Sequence, residues 1–371
     1  MGRPSRNWPS AKSSLGRKQP RPVRAAELLV GGGSYVDPAD QTTQRFVFSQ
    51  ADFGSGEIAL TPTTFLPHGI AIDPNDHNRL VTFQKIGVGC CEIDLAARKV
   101  TRTIVPTDGR WFYGHGAFSS DGKLLYSTET VNSEERGVIG VRDAATFEYL
   151  GEFPTFGENP HDCHLIEDGK VLLITNGGGA LDSTLRPCVT WVEVDSRKLL
   201  DKRELTGERF NTGHLSLAAD GGLAVVSAPR KGLTDKDLGA VSLGRSGDHL
   251  QTMQDPRQVT SRMVGEALSV AIHEPTQIAA VTHPFGDMIT FWSMRTFEFL
   301  KKLDLPRARG VTLTQDGNNF IVSYGPTTDV VEVSPRTLAP ARDSVLTQSF
   351  LSGSHVFNWT RMTGRALPAA K

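Results

Sequence analysis

Residues 115–128 read HGAFSSDGKLLYST, and this stretch decides the fold. A short apolar segment, the dipeptide Asp121-Gly122 and a second apolar segment follow one another, which is a strong signal for a β-hairpin. The same plan returns along the chain in units whose first residues are 42 to 54 residues apart. These units span 68–83, 115–128, 160–176, 214–228, 268–283 and 310–324.

Two further strand-like segments follow most of these units, as in GVIGVRDAATFEYLGEF at 137–153. Four antiparallel strands every 40 to 50 residues are typical of a β-propeller blade. A seventh inner strand near His355 lacks the rest of its blade, which segments at 26–33, 44–50 and 56–62 can supply. The sequence therefore predicts an all-β, seven-bladed β-propeller, rather than paired β-sandwiches or a β-solenoid. Its last blade is closed by N-terminal strands pairing with a C-terminal inner strand.

We expect one propeller domain over 26–362, preceded by a leader and followed by a tail at 363–371. The leader, residues 1–25, carries seven Lys or Arg and no acid, and is predicted to be disordered. No apolar segment fits a secretory signal or a membrane span. The net charge of −1 gives no argument for a nucleic-acid partner. We expect the protein to be a monomer.

Histidine occupies the start of the innermost strand in unit after unit. The residues at this position are His68, His115, His161 and His214, with His355 as the fifth. Inner strands of a propeller line its channel, so their starts converge at one mouth. Neutral imidazoles brought together are good ligands for copper, zinc, iron or nickel. The units beginning at Leu268 and Gly310 break the ring, which favours a site with an open side.

Several neighbouring residues complete the candidate site. His164 lies only 4 residues before Asp168, so it is a less certain ligand than His161, which lies 7 before. Tyr113 precedes His115, and Asp162 follows His161 and is its nearest candidate partner in sequence. Both are predicted to support ring histidines or contact substrate. Arg309 is predicted to hold an anion at the gap.

The four cysteines form no CxxC pair, which argues against a zinc ribbon or a thioredoxin-type site. Cys163 lies beside the candidate ligands, but we expect it to pack between blades as a small apolar residue. The sequence leaves the pairing of Cys163 with Cys188 open.

Two other functions fit the same histidines. They could serve as general acids or bases in a metal-independent, lactonase-like hydrolase. They could also be a structural ring in a non-catalytic interaction scaffold, because strand-start histidines can bond to neighbouring backbone groups. Chelation separates the first alternative from a metal protein, and His→Ala changes without effect on activity or partner binding would indicate the scaffold.

The motifs resemble those of the DUF1513 family of bacterial propellers and, more loosely, YVTN and quinoprotein-amine-dehydrogenase-like propellers. They are HGIAI from His68, FYGHGAFSSDGKLLYSTE from Phe112, GVIGVRDA from Gly137, NPHDCHLIEDG from Asn159 and GHLSLAADG from Gly213. The resemblance covers about 26–334, and its histidine motifs match His68, His115, His161 and His214. It implies export to the periplasm in the company of iron-uptake and imelysin-like proteins, but it implies no activity. The leading hypothesis from the histidines is therefore a periplasmic propeller that binds copper or iron at one channel mouth, in metal handling or redox chemistry, with other periplasmic iron- or copper-handling proteins as partners. The leader departs from the family because it shows no export signal.

Overall fold

The computed structural model describes residues 25–245 and 247–364. Seven four-stranded antiparallel sheets form the fold, so the prediction of an all-β, seven-bladed propeller is confirmed. The predicted leader, apart from Ala25, and the predicted tail beyond residue 364 lie outside the described residues. Within the described residues, no helix is long and apolar enough to cross a bilayer.

Short strands follow one another along the described chain. They are β1 (Leu28–Val36), β2 (Gln44–Asp52), β3 (Ile58–Thr63), β4 (Pro67–Ile72), β5 (Arg79–Gln84), β6 (Cys90–Asp94), β7 (Lys99–Thr103), β8 (Arg110–Phe118), β9 (Leu124–Val131), β10 (Arg136–Asp143), β11 (Tyr149–Glu158), β12 (Pro160–Ile166), β13 (Val171–Asn176), β14 (Cys188–Glu193), β15 (Leu199–Glu204), β16 (Leu215–Leu217), β17 (Leu223–Ser227), β18 (Ala240–Gly244), β19 (Gln251–Thr252), β20 (Val270–His273), β21 (Ile278–His283), β22 (Met288–Ser293), β23 (Phe299–Asp304), β24 (Val311–Leu313), β25 (Phe320–Tyr324), β26 (Asp329–Ser334), β27 (Ala339–Leu346) and β28 (Phe357–Asn358). The short helices are α1 (Arg257–Thr260) and α2 (Trp359–Thr363), with 3-10 turns at Glu167–Gly169 and Glu274–Thr276.

Each blade has four strands, counted from the channel outwards. Blades 1 to 6 are β4–β7, β8–β11, β12–β15, β16–β19, β20–β23 and β24–β27, and blade 7 has the order β28-β1-β2-β3. The inner strands β4, β8, β12, β16, β20, β24 and β28 therefore come from seven separate parts of the chain.

The Asp-Gly turns end the inner strands. In blade 2, Asp121 accepts hydrogen bonds from the Ser119 hydroxyl at 2.7 Å and the Lys123 amide at 3.0 Å. These bonds lower the pKa of Asp121 to about 2. Gly122 takes a φ of +71°, a left-handed conformation that favours glycine. Where an Asp-Gly turn is present, it thus fixes where the inner strand ends and, by counting back, where it starts.

The core lies between neighbouring sheets. Between blades 2 and 3, Cys163 packs with apolar side chains that include Tyr126, Phe153 and Leu172, as predicted for that cysteine. All four cysteines are buried free thiols, so Cys163 and Cys188 do not pair. Burial raises the pKa of the Cys91 and Cys188 thiols to about 12, which keeps them protonated and unreactive.

The two ends of the described chain meet in blade 7. Strand β28 pairs with β1 through Leu29 opposite Asn358 and Val30 opposite Phe357. The Leu28 amide donates to the Thr360 hydroxyl at 2.8 Å, and the buried Trp359 ring joins the core shared with blade 1. These contacts hold the seventh inner strand, and His355 just before it, against the channel.

Candidate metal centre

Irregular pairing at the start of the inner strands positions the ring histidines. The register of the ladder shifts between Pro67 and Ile70 in blade 1, between Phe112 and Gly116 in blade 2, and between Pro160 and Cys163 in blade 3. Each interruption contains one ring histidine. A bulge of this kind re-aims a side chain.

Threonines of the second strands replace the lost ladder bonds. In blade 2, the Thr128 hydroxyl accepts from the His115 amide at 3.2 Å and donates to the His115 carbonyl at 3.0 Å. In blade 3, the Thr175 hydroxyl accepts from the Asp162 amide at 2.8 Å and donates to the Gly213 carbonyl at 2.6 Å. The bulged backbone is therefore satisfied although it leaves the sheet.

Two glycines make room for the imidazole rings. A Cβ on Gly114, which has a φ of +114°, would lie 3.0 Å from both the His161 and the His68 rings. A Cβ on Gly69 would lie 2.6 Å from His115 Nδ1. In the HG and YGHG motifs, the histidine is thus a ligand-type side chain, and the glycine leaves room for histidine rings of the adjacent blades.

The structure brings all five predicted ring histidines together in the channel, and each is at most 8% exposed. Nε2 of His68 lies 3.1 Å from Nε2 of His161 and 3.0 Å from that of His214, and the latter two atoms are 2.9 Å apart. One ring nitrogen each of His68, His115, His214 and His355 lies within 4.8 Å of the others. We call His68, His115, His161, His214 and His355 together the histidine cluster.

Backbone carbonyls fix the tautomers of two cluster members. Nδ1 of His161 lies 2.9 Å from the Tyr113 carbonyl, and Nδ1 of His214 lies 2.6 Å from the Leu268 carbonyl. A carbonyl oxygen only accepts, so both Nδ1 atoms carry hydrogen, and both Nε2 atoms of the neutral rings present lone pairs. Two lone pairs thus face each other at 2.9 Å.

A carboxylate orients a third member. Nδ1 of His115 lies 3.2 Å from Oδ1 of Asp162, so Nδ1 carries hydrogen and Nε2 is a free lone pair. Within the described residues, the buried Nε2 atoms of His115 and of His355 have no hydrogen-bond partner. Carboxylate support of this kind is common behind metal-bound histidines.

Burial lowers the pKa of four cluster histidines well below the ordinary value, and the neighbouring imidazoles add to the effect. Burial also lowers the pKa of His115, although the Asp162 carboxylate opposes the shift. The pKa of Asp162 stays well below its usual range because His164 and His115 outweigh the effect of its burial. The cluster is thus a set of neutral donors backed by one carboxylate.

The structure redistributes the predicted supporting residues. Asp162 supports His115 and lies 3.1 Å from Nε2 of His164, whereas we expected it beside His161. Consecutive strand residues point to opposite sides, so Asp162 cannot reach its neighbour's ring. His164 is 47% exposed and stands outside the cluster. Tyr113 acts through its carbonyl, on His161 of the next blade.

The gap in the ring is filled by backbone. The Leu268 carbonyl supports His214, a contribution that residue type does not reveal. Nε of Arg309 donates to the Gly353 carbonyl at 2.9 Å, and anion binding by this side chain stays a prediction. Gly69 and Gly114 were also missed, and the recurrence of glycine beside the motif histidines is the signal that could have found them.

Two cavities meet at the histidine cluster. One, of about 620 Å³, opens at the mouth where the inner strands begin and reaches His161. The other, of about 740 Å³, runs along the inner strands from His115, His214 and His355 towards Arg361 of α2. The cluster therefore separates an outer vestibule from the length of the channel.

Comparison with known proteins supports the fold. The chain is similar to Kuenenia stuttgartiensis hydrazine synthase, with 13% identity and a TM-score of 0.60 over 87% of this chain and 98% of that one. It is also similar to dihydro-heme d1 dehydrogenase NirN in complex with DHE, with 13% identity and a TM-score of 0.55 over 89% and 68% of the chains. Likenesses at this identity show the fold alone, and no curated protein matches. The model of the family described as "Protein of unknown function (DUF1513)" matches residues 63–348, so the chain belongs to the DUF1513 family.

Proposed function

We propose that the histidine cluster binds one transition-metal ion, copper or iron, and that the protein serves metal handling or redox chemistry in the periplasm. The observation that carries the proposal is the pair of carbonyl-fixed tautomers. They leave the lone pairs of His161 and His214 facing each other at 2.9 Å, with His68 Nε2 within 3.1 Å of both. Lone pairs at this distance repel unless a proton or a cation lies among them.

A proton is the weaker explanation. His68 can supply one Nε2 hydrogen to two acceptors at most, and burial disfavours a positively charged imidazolium in this cluster. A metal ion accepts all the lone pairs at once. His115 and His355 are further candidate donors, because one ring nitrogen of each lies within 4.8 Å of ring nitrogens of His68 and His214.

The spacing of the nitrogens favours some metals over others. An ion about 2.1 Å from two nitrogens holds them roughly 3.4 Å apart at a tetrahedral angle and roughly 3.0 Å apart at a right angle. The separations of 2.9 to 3.1 Å match the right angle. Right-angled imidazole donors suit copper(II) or ferrous iron better than tetrahedral zinc.

The hydrolase alternative has less support. A general base works best when its pKa lies near the operating pH. Burial instead lowers the pKa of the cluster histidines well below that range. His164 is the exception, because Asp162 raises its pKa against the effect of burial, but it stands outside the cluster.

Metal content tests the proposal. Protein purified without a His-tag is expected to carry near-stoichiometric copper or iron by plasma mass spectrometry, and a His115→Ala/His161→Ala variant is expected to lose it. His283→Ala is the matched control, because His283 is fully buried outside the cluster and bonded to the Thr290 hydroxyl. The absence of metal from the parent, even after reloading with copper(II) and ferrous iron, would refute a metal centre.

The periplasmic setting is part of the proposal and has its own test. Fractionation of cells expressing the full-length protein from its native gene is expected to recover it with periplasmic markers. Recovery with cytoplasmic markers would remove exported iron- or copper-handling proteins as partners and leave the metal centre to be judged by metal content.

A further inference from the structure

The vestibule above the histidine cluster has the size of a ligand site. Its volume is about 620 Å³, within the range of pockets that hold drug-sized molecules. Trp111, Thr130, Asn159, His161 and Phe285 are among the residues that line it. His161 belongs to the cluster, so a molecule in the vestibule would lie beside the rings.

Two aromatic side chains at the vestibule are exposed to water, which is unfavourable for large apolar rings. Trp111 is 45% exposed and Phe285 is 64% exposed. They come from blade 2 and from the turn between the second and third strands of blade 5, so they approach from well-separated parts of the ring. Exposed aromatic rings beside a cavity commonly mark a binding site.

Phe285 is placed by a glycine. A Cβ on Gly265 would lie 2.7 Å from Cδ2 of Phe285, so only the absence of a side chain lets the ring lie against the backbone there. Gly265 also takes a φ of +69°, which favours glycine. The local backbone therefore holds Phe285 beside the vestibule.

The charges that line the vestibule give no net attraction for an anion. Nζ of Lys85 lies 2.6 Å from Oε1 of Glu266, and Lys231 pairs with Glu135. Asp235 adds a third carboxylate against these two amines. An uncharged ligand fits this balance better than an anionic one.

One buried hydroxyl is left for the ligand. Thr130 is 4% exposed and lines the vestibule, and within the described residues its Oγ1 has no hydrogen-bond partner. Because this oxygen is closed to solvent, a ligand bonds to it once the Thr130 side chain turns towards the vestibule, and that bond satisfies the hydroxyl and adds specificity.

We propose that the vestibule binds an uncharged, planar aromatic molecule that carries hydroxyl or carbonyl groups. The molecule contacts the Trp111 and Phe285 rings, which line the same cavity, and one polar group bonds to the Thr130 hydroxyl after that side chain turns. This site goes beyond the metal centre, and its occupancy does not require a metal.

The test uses metal-free, full-length protein and titration calorimetry with 2,7-dihydroxynaphthalene, whose hydroxyls are too far apart to chelate one ion. Saturable binding with one site per chain is expected. Trp111→Ala and Phe285→Ala should each weaken it by about tenfold or more, because aromatic stacking is lost. Val105→Ala is the control, because Val105 is 74% exposed and does not line the vestibule.

Two further comparisons test the chemistry of the ligand. Thr130→Val keeps the β-branched shape and should weaken the diol by about fivefold to tenfold. Naphthalene-2,7-disulfonate, which has the same ring but two negative charges, should bind at least about tenfold more weakly than the diol. A far-ultraviolet circular dichroism spectrum and a cooperative urea unfolding transition that match those of the parent establish that each variant is folded.

Three outcomes would overturn the inference: no saturable binding of the diol to the parent, undiminished binding by the folded Trp111→Ala and Phe285→Ala variants, or equal binding of the disulfonate. Because the protein is metal-free throughout, these outcomes leave the metal-content experiment untouched. Conversely, binding of the diol by the metal-free parent would show that the vestibule is occupied independently of a metal in the histidine cluster.

Discussion

Lowering the pH of the metal-free protein is expected to reduce its free energy of unfolding through the histidine cluster. Burial keeps the five imidazoles neutral in the folded protein by lowering their pKa, whereas an unfolded histidine has a pKa near 6.5. Below pH 6.5 the unfolded chain therefore binds more protons than the folded one. Stability is complete above that pH and is lost progressively as the pH falls towards the lowered pKa values of the folded state.

The size of the effect follows from the number of buried rings. A histidine that stays neutral when folded costs about 1.4 kcal/mol at about pH 5.5 relative to about pH 7.5. Four such residues, His68, His161, His214 and His355, cost roughly 6 kcal/mol, which is comparable to the total stability of about 5–15 kcal/mol of a typical domain. His283 is also buried, with a pKa lowered to about 3, and adds about 1.4 kcal/mol by the same argument.

The protein is first dialysed against a chelator. Urea denaturation at the two pH values, monitored by tryptophan fluorescence, then measures the loss in free energy of unfolding. The parent should lose several kcal/mol between them. His161→Gln/His214→Gln should reduce that loss by about 3 kcal/mol, and the control His283→Gln by about half as much. A parent that loses less than about 2 kcal/mol, or a double variant as pH-sensitive as the parent, would show that the rings accept protons while folded and would refute the reasoning.

Three further predictions concern the surroundings of the cluster. Gly114→Ala should lower metal affinity by at least about tenfold in competitive chelator titrations, because its Cβ would press on two cluster rings. Gly151→Ala, where φ is +133° and nothing lies within 4 Å, carries similar backbone strain without ring contact, and an equal loss there would contradict the explanation. Asp162→Asn should weaken metal binding by about 10- to 100-fold in the same titration, since it removes the carboxylate behind His115, and unchanged affinity would count against that role. Arg142→Met should destabilise the protein by about 3–5 kcal/mol in urea, because it breaks the buried ion pair with Glu129 and leaves that carboxylate only the more distant Arg110, at 3.9 Å. Adding Glu129→Gln should restore most of that loss, and a double variant no more stable than Arg142→Met would argue against the broken ion pair as the cause.

The repeat made the fold and the cluster predictable. Because an Asp-Gly turn ends an inner strand, counting back from Asp121 or Asp220 locates the residue at the strand start. The same count distinguished His161, which lies in the cluster, from His164, which lies outside it and is 47% exposed. Because the blades repeat, residues at equivalent positions in the sequence lie close together at the channel.

The contacts behind the rings were not predictable in the same way, because they cross blade boundaries. The Tyr113 carbonyl of blade 2 supports His161 of blade 3, and Asp162 of blade 3 supports His115 of blade 2. Residues adjacent in sequence point apart along a strand, while blade packing chooses their partners. Leu268, which interrupts the ring of histidines in sequence, still contributes through its carbonyl, an atom that every residue carries.

The pairing of β28 with β1 also sets an order of events during biosynthesis. His68 emerges from the ribosome long before His355, and these two rings meet with centroids 4.9 Å apart. The full donor set therefore exists only after the final inner strand has docked and the ring has closed. A nascent or truncated chain would offer an incomplete set of donors and bind metal weakly. Tight metal binding would therefore be limited to chains in which the propeller has closed.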